Sequence, residues 1–87
     1  MEQEFVVCNR RGMHARAAAQ IAKLASQFQC EVWLMKDGVR VNGKSIIDVL
    51  TLASPHGSKV VVTSEGPDAG EAMQALEHLF QNKFGEE

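Results

Sequence analysis

The sequence predicts an α+β sandwich, with one small four-stranded sheet and helices over one face, in the order β-α-β-β-α-β-α. Three observations predict it. Four short runs are rich in β-branched and aromatic residues. Two longer stretches repeat small or apolar residues at three- and four-residue steps, and a third, shorter one opens on a serine cap. Gly, Asn and Pro punctuate the intervals. The chain of 87 residues is expected to be a single domain, residues 1–87, with no repeat, linker or low-complexity segment. The pattern alone does not set strand order.

Glu4-Phe5-Val6-Val7-Cys8 reads as the first strand, with no breaker. Asn9-Arg10-Arg11-Gly12 is a polar loop. From about Ala15 to Phe28 the spacing is helical: Ala18, Ile21, Ala22, Ala25 and Phe28 share a face, and the alanines favour helix strongly. Glu31–Met35 is the second strand, Lys36-Asp37-Gly38 a hairpin turn, and Val39-Arg40-Val41 the third strand. After the Asn42-Gly43 turn, Ser45 and Asp48 match a capping box opening a short helix through about Ala53. Lys59–Thr63 is the fourth strand. Gly66-Pro67 starts the last helix, whose apolar face of Ala69, Met73, Leu76, Leu79 and Phe80 runs to about Lys83. Gly85-Glu86-Glu87 is expected to be a frayed tail.

Apolar residues are 45% of the chain, enough for one modest core. The formal net charge is −2 and no basic run appears, which argues against nucleic acid and anionic membranes as partners. No apolar run is long enough to span a bilayer. Met1-Glu2-Gln3-Glu4 has no basic region followed by an apolar segment, so no secretion signal and a cytoplasmic location are expected. Cys8 and Cys30 are not in a Cys-x-x-Cys pair and read as reduced small hydrophobes in or beside strands. His56 and His78 form no metal-ligand spacing with His14, so both read as solvated and neither a metal nor another cofactor is expected.

The chemistry concentrates at Gly12-Met13-His14-Ala15-Arg16, followed by Ala17-Ala18-Ala19. It places a histidine where a loop becomes a helix, with an arginine two residues on. The cap holds no Ser, Thr, Asp or Asn, so the first helical N–H groups are expected to lack a side-chain acceptor. Free N–H groups, the positive end of the helix dipole and a guanidinium make an anion site. An imidazole at its mouth suggests a histidine that carries a phosphoryl group. Arg16 supplies a planar fork of N–H donors for the equatorial oxygens.

These residues resemble the active-site signature of the HPr family, the histidine-containing phosphocarriers of the phosphoenolpyruvate-dependent phosphotransferase system. Val41-Asn42-Gly43-Lys44-Ser45-Ile46-Ile47-Asp48-Val49-Leu50 resembles that family's second signature, around its regulatory serine. Chain length and element order match too. The resemblance implies an open-faced β-sandwich with an antiparallel sheet and three helices. It implies that His14 takes a phosphoryl group, at Nδ1, from phosphorylated enzyme I and passes it to a histidine of an enzyme IIA domain. No turnover of a small molecule by the chain alone is expected, and a monomer is expected.

By the same resemblance, Ile46, Ile47 and Leu50 border the patch that docks enzyme I and enzyme IIA. Their spacing also suits a core, since Val49, Leu52 and Ala53 compete for the buried side. Lys23 and Arg10 are rim charges that steer acidic partners. Ser45 is a helix cap and also a candidate site for an HPr kinase/phosphorylase. The second function class is therefore a regulatory module acting through Ser45 and partner docking, as in relatives that lack the histidine and act on a transcription regulator. The chain departs from the usual signature at Ala17, where the family commonly has Pro. Ala17 keeps an N–H that adds a donor to the anion site. Similar alanine-rich versions occur in the nitrogen-related branch (NPr), so the sugar and nitrogen branches both stay open.

Overall fold

A computed structural model of the chain describes residues 1–52 and 54–86. Strands β1 (Glu2–Val6), β2 (Glu31–Lys36), β3 (Val39–Asn42) and β4 (Lys59–Glu65) form one antiparallel sheet in the order β1-β4-β2-β3. Helices α1 (Ala15–Ala25), α2 (Ile46–Leu50) and α3 (Ala69–Gln81) complete the expected β-α-β-β-α-β-α order, and a 3-10 turn follows at Lys83–Gly85. Register explains why one face carries the helices. Leu34 stands opposite Val41 and Val62, and Phe5 opposite Val60, so these side chains share a face. That face is buried with Ala17, Ala18, Ile21 and Ala25 of α1 and Ala72, Met73, Leu76 and Phe80 of α3. The alternate residues Trp33, Met35, Val61 and Thr63 line the open face, where the Arg40 guanidinium lies 4.3 Å over the Trp33 ring.

The alanines of α1 have a packing consequence. Ala17 and Ala18 are fully buried, so the helix lies close to the sheet. Phe80 fills the space at the β1 end. It stacks on Phe5 at 4.9 Å between centroids and meets the edge of Phe84 at 5.0 Å. Burying each such ring is worth about 1.5–3 kcal/mol. The β2–β3 turn is the expected tight hairpin, with positive φ at both Asp37 (53°) and Gly38 (80°).

Several boundaries differ from expectation. β1 starts two residues earlier, because Glu2 and Gln3 pair with Thr63 and Val62. α1 ends at Ala25, short of Phe28; the Gln27 and Phe28 N–H groups tighten onto the Leu24 and Ala25 carbonyls instead. The expected end of α2, Ala53, lies outside the described residues. α3 begins at Ala69, not at Pro67. Asp68 occupies its cap position, but its carboxylate turns outward to accept the Gln29 and Cys30 N–H groups at 2.9 and 2.8 Å. Those bonds hold the Asp68 carboxyl below its ordinary range, Gln29 foremost, against the opposing effect of burial. Cys30 is buried and Cys8 partly so, both as free thiols. Burial, with Asp68 beside it, raises the Cys30 thiol. No described helix is long and apolar enough to cross a membrane.

Candidate functional site

The loop before α1 is held by backbone more than by side chains. Gly12 has φ +70°, and a Cβ there would meet the Pro55 Cα and the Ser54 carbonyl oxygen at 2.8 Å. Only glycine fits that approach. Met13 N–H donates to the Ser54 carbonyl at 2.8 Å, and the Met13 side chain is buried. The loop is thereby fastened to the segment after α2, and His14 is delivered to the helix start.

His14 is itself the N-cap, with extended backbone (φ −88°, ψ −179°). Its Nδ1 accepts the Arg16 N–H at 3.2 Å. This corrects the expectation that the first helical N–H groups lack a side-chain acceptor: imidazole, like Asn or Ser, offers one when its own geometry allows. Among the described residues the Ala17 N–H meets no acceptor. An accepting Nδ1 places the proton of the neutral ring on Nε2.

Nε2 meets a partner that sequence reading missed. The Glu86 carboxylate contacts His14 Nε2 through Oε2, and the same oxygen lies 3.4 Å from Arg16 Nη2. Its other oxygen accepts from Asn9 Nδ2 at 2.9 Å, and that amide also donates to the Gly12 carbonyl at 2.7 Å. The expected frayed tail is therefore wrong for Gly85 and Glu86. The Glu86 side chain is only 6% exposed, against 19% for His14 and 65% for Arg16. Glu87 lies outside the described residues.

The tail is fastened by Phe84, buried against Phe80, and by Gln20 Nε2, which donates to the Phe84 carbonyl at 2.9 Å. Three successive residues, Lys83, Phe84 and Gly85, have φ of 53°, 56° and 75°. For the two that are not glycine this costs roughly 1–2 kcal/mol each. No local sequence pattern announces a turn that only distant contacts hold. Glu86 is kept below the ordinary glutamate range, first by the Asn9 amide and further by His14 and Arg16, with burial opposing.

Ser45 caps α2 as expected, its Oγ accepting the Asp48 N–H at 3.3 Å. The reciprocal half of the box is not made; Ser45 N–H donates to the Asn42 carbonyl at 3.1 Å. Ile46, Ile47 and Leu50 are all exposed, Ile47 by 75%, while Val49 and Leu52 take the buried side. The open choice between core and surface for these three thus resolves to surface. Lys44 Nζ donates to the Phe28 carbonyl at 2.9 Å, which seats the start of α2 beside the end of α1. The Met13–Ser54 bond seats the segment after α2 beside the start of α1. The two helices run in opposite directions. Lys23 and Arg10 are exposed. His56 is exposed, and so is His78, whose Nε2 pairs with Asn82 Nδ2 at 2.8 Å. Among the described residues no three His, Cys, Asp or Glu side chains gather to hold a metal ion.

Comparison with known proteins bears on the whole chain. A family model described as "PTS HPr component phosphorylation site" matches residues 1–82. The phosphocarrier protein HPr of Treponema pallidum is 49% identical over 81 residues, covering 93% of this chain and 92% of that protein. The HPr of Neisseria meningitidis is 42% identical over 86 residues, covering 99% of this chain and 97% of that one. Among solved structures, HPr-C-His from Thermoanaerobacter tengcongensis superposes with a TM-score of 0.96 at 40% identity, over 100% of this chain and 98% of that one.

Proposed function

The chain belongs to the HPr family and is a phosphocarrier of the phosphotransferase system, and from that membership we propose that His14 carries the phosphoryl group. The observation that supports this most directly is the orientation of its ring. Nδ1 faces the first N–H groups of α1, and Nε2 holds its proton against a carboxylate. The nitrogen with the available lone pair is thus the one that faces the anion site.

Transfer is then a displacement at phosphorus. The Nδ1 lone pair forms the new P–N bond, the bond from phosphorus to the donor group of phosphorylated enzyme I breaks, and its electrons return to the donor. The incoming oxygens take over the Arg16 N–H that Nδ1 accepts in the resting state, and the Ala17 N–H offers a second donor. Arg16, 65% exposed, swings its guanidinium from the Glu86 carboxylate to the phosphoryl oxygens. Positive groups that are already paired with a carboxylate bind the phosphoryl group by exchange. That moderates the gain and keeps transfer reversible, as a carrier requires.

Family membership brings enzyme I and an enzyme IIA domain as partners. Ile46, Ile47 and Leu50 form their apolar docking patch, with Lys23 and Arg10 as steering charges. A module that acts only through Ser45 is not favoured, because the chain keeps His14 and Arg16 together. Ser45 nevertheless remains a modification site in this reading: a phosphate there sits at the α2 cap and places about two negative charges beside the docking patch.

Intact mass after incubation with phosphoenolpyruvate and enzyme I tests the assignment. One acid-labile phosphoryl increment is expected on the wild-type chain and none on His14→Ala. An increment retained by His14→Ala moves the carrier to another residue.

A further inference from the structure

We propose that Asn9 is a positioning residue for phosphoryl transfer, acting through Glu86 to lock the His14 ring with its proton on Nε2 and Nδ1 available; the inference rests on reading His14 as the carrier. Asn9 is fully buried, and its amide donates both to the Gly12 carbonyl, at 2.7 Å, and to Glu86 Oε1, at 2.9 Å. One side chain therefore spans the loop that delivers His14 and the tail that delivers its carboxylate. With Oε1 held, Oε2 is directed at His14 Nε2. The order is amide, carboxylate, imidazole, nucleophilic nitrogen. A carboxylate on one ring nitrogen sets the tautomer and orientation of the other.

Two further observations indicate that this arrangement is not the cheapest local packing. Asn9 Oδ1 is buried without a partner among the described residues, and a buried acceptor left unpaired disfavours the fold. The tail reaches Asn9 only through three successive positive-φ residues, one of them the bulky Phe84. Both costs are borne where strain and function coincide. During transfer the Nε2 proton stays in place. The phosphorylated ring then carries a positive charge opposite the Glu86 carboxylate, while the donor group takes back its bonding electrons. Without Asn9 the carboxylate loses its anchor, and part of the population holds its proton on Nδ1, where it cannot attack.

The test reads the tautomer in the unphosphorylated protein, from ring-nitrogen NMR shifts followed with pH to the alkaline plateau where they no longer change. Wild type is expected to hold the Nε2–H form almost alone. Asn9→Ala and Glu86→Ala should each give a mixture, and the double variant should be no more mixed than Glu86→Ala. With enzyme I, kcat for phosphoryl acceptance by Asn9→Ala should fall about tenfold with KM within about twofold. If Asn9→Ala does not fold, Asn9→Ser takes its place in the same comparison. An unchanged tautomer ratio in the folded Asn9 variant or in Glu86→Ala overturns the proposal. So does an additive effect in the double variant, which would assign Asn9 to the Gly12 loop alone. The tautomer measurement needs no donor. Failure of the carrier reading therefore appears separately, as a wild-type chain that gains no phosphoryl mass.

Discussion

Glu86 and His14 are 72 residues apart in the chain, yet the carboxylate of one rests against Nε2 of the other. The contact joins the last described residue to the first turn of α1. It also engages Arg16, whose Nη2 lies 3.4 Å from the same oxygen. The resting site is thus a small charge cluster with its own internal anion. In the proposed transfer, an incoming phosphoryl group competes with that anion for Arg16 and meets Nδ1 on the opposite side of the ring.

Arg16→Ala is expected to slow phosphoryl acceptance by about 100-fold, the usual effect of removing one preorganised donor from developing charge. Its side chain is mostly exposed, so stability should change by no more than about 0.5 kcal/mol. Arg16→Lys should recover part of the rate, because the charge remains but the paired N–H fork does not. Rapid-quench measurement with phosphorylated enzyme I decides it. A full rate in Arg16→Ala removes the clamp.

Acid should release the tail. Glu86 titrates below the ordinary glutamate value of about 4.3. Its folded-state pKa is lowered, so its contribution to stability is complete above the unfolded value and is lost as pH falls through the lowered one. The Phe84 and Glu86 amide signals should therefore show an acid transition below about pH 5. Glu86→Gln should abolish that transition. The Gln29 and Cys30 amides, bound to Asp68, should keep their own acid transition, because Asp68 is lowered independently. Tail signals that titrate unchanged in Glu86→Gln would refute the assignment.

Ser45→Ala and Ser45→Asp separate cap from regulation. Alanine loses the bond from Asp48 N–H and should cost about 1 kcal/mol in denaturant melts. Aspartate caps as well as serine does, so its stability should stay close to wild type. Docking to enzyme I should nonetheless weaken in Ser45→Asp and remain near wild type in Ser45→Ala. Equal affinity for both variants leaves Ser45 as a cap.

Ile47→Asp tests the docking patch with little risk to the fold, since Ile47 is 75% exposed. Stability should change by about 0.5 kcal/mol or less. The affinity for enzyme I should fall at least tenfold if the residue sits in a desolvated contact. Calorimetric titration reads both binding and its apolar signature. Unchanged binding would move the patch away from α2.

Legibility followed the range of the interactions involved. The strands and helices were readable because alternation and three-to-four spacing report burial locally, as in Val32 and Leu34 or Ile21 and Ala25. Their ends were less so. β1 extends because β4 offers partners to Glu2 and Gln3, and α3 starts late because Asp68 serves two N–H groups of another segment. For Ile46, Ile47 and Leu50, spacing allowed either core or surface. Packing of Val49 and Leu52 decided it. The histidine cap was missed because imidazole rarely caps, and Glu86 because a charged chain end usually frays.

What the sequence determined by itself is the fold class, the element order, and the juxtaposition of glycine, histidine and arginine at one helix start. All of these depend on neighbours within about one helical turn or one strand pair. Only the tertiary structure decided the partner of His14 Nε2, the resting partner of Arg16 and the contact of Asn9 with Glu86. Each depends on a tail that folds back through Phe84, against its own backbone preference, because aromatic burial and a charge-assisted contact far along the chain outweigh the local strain.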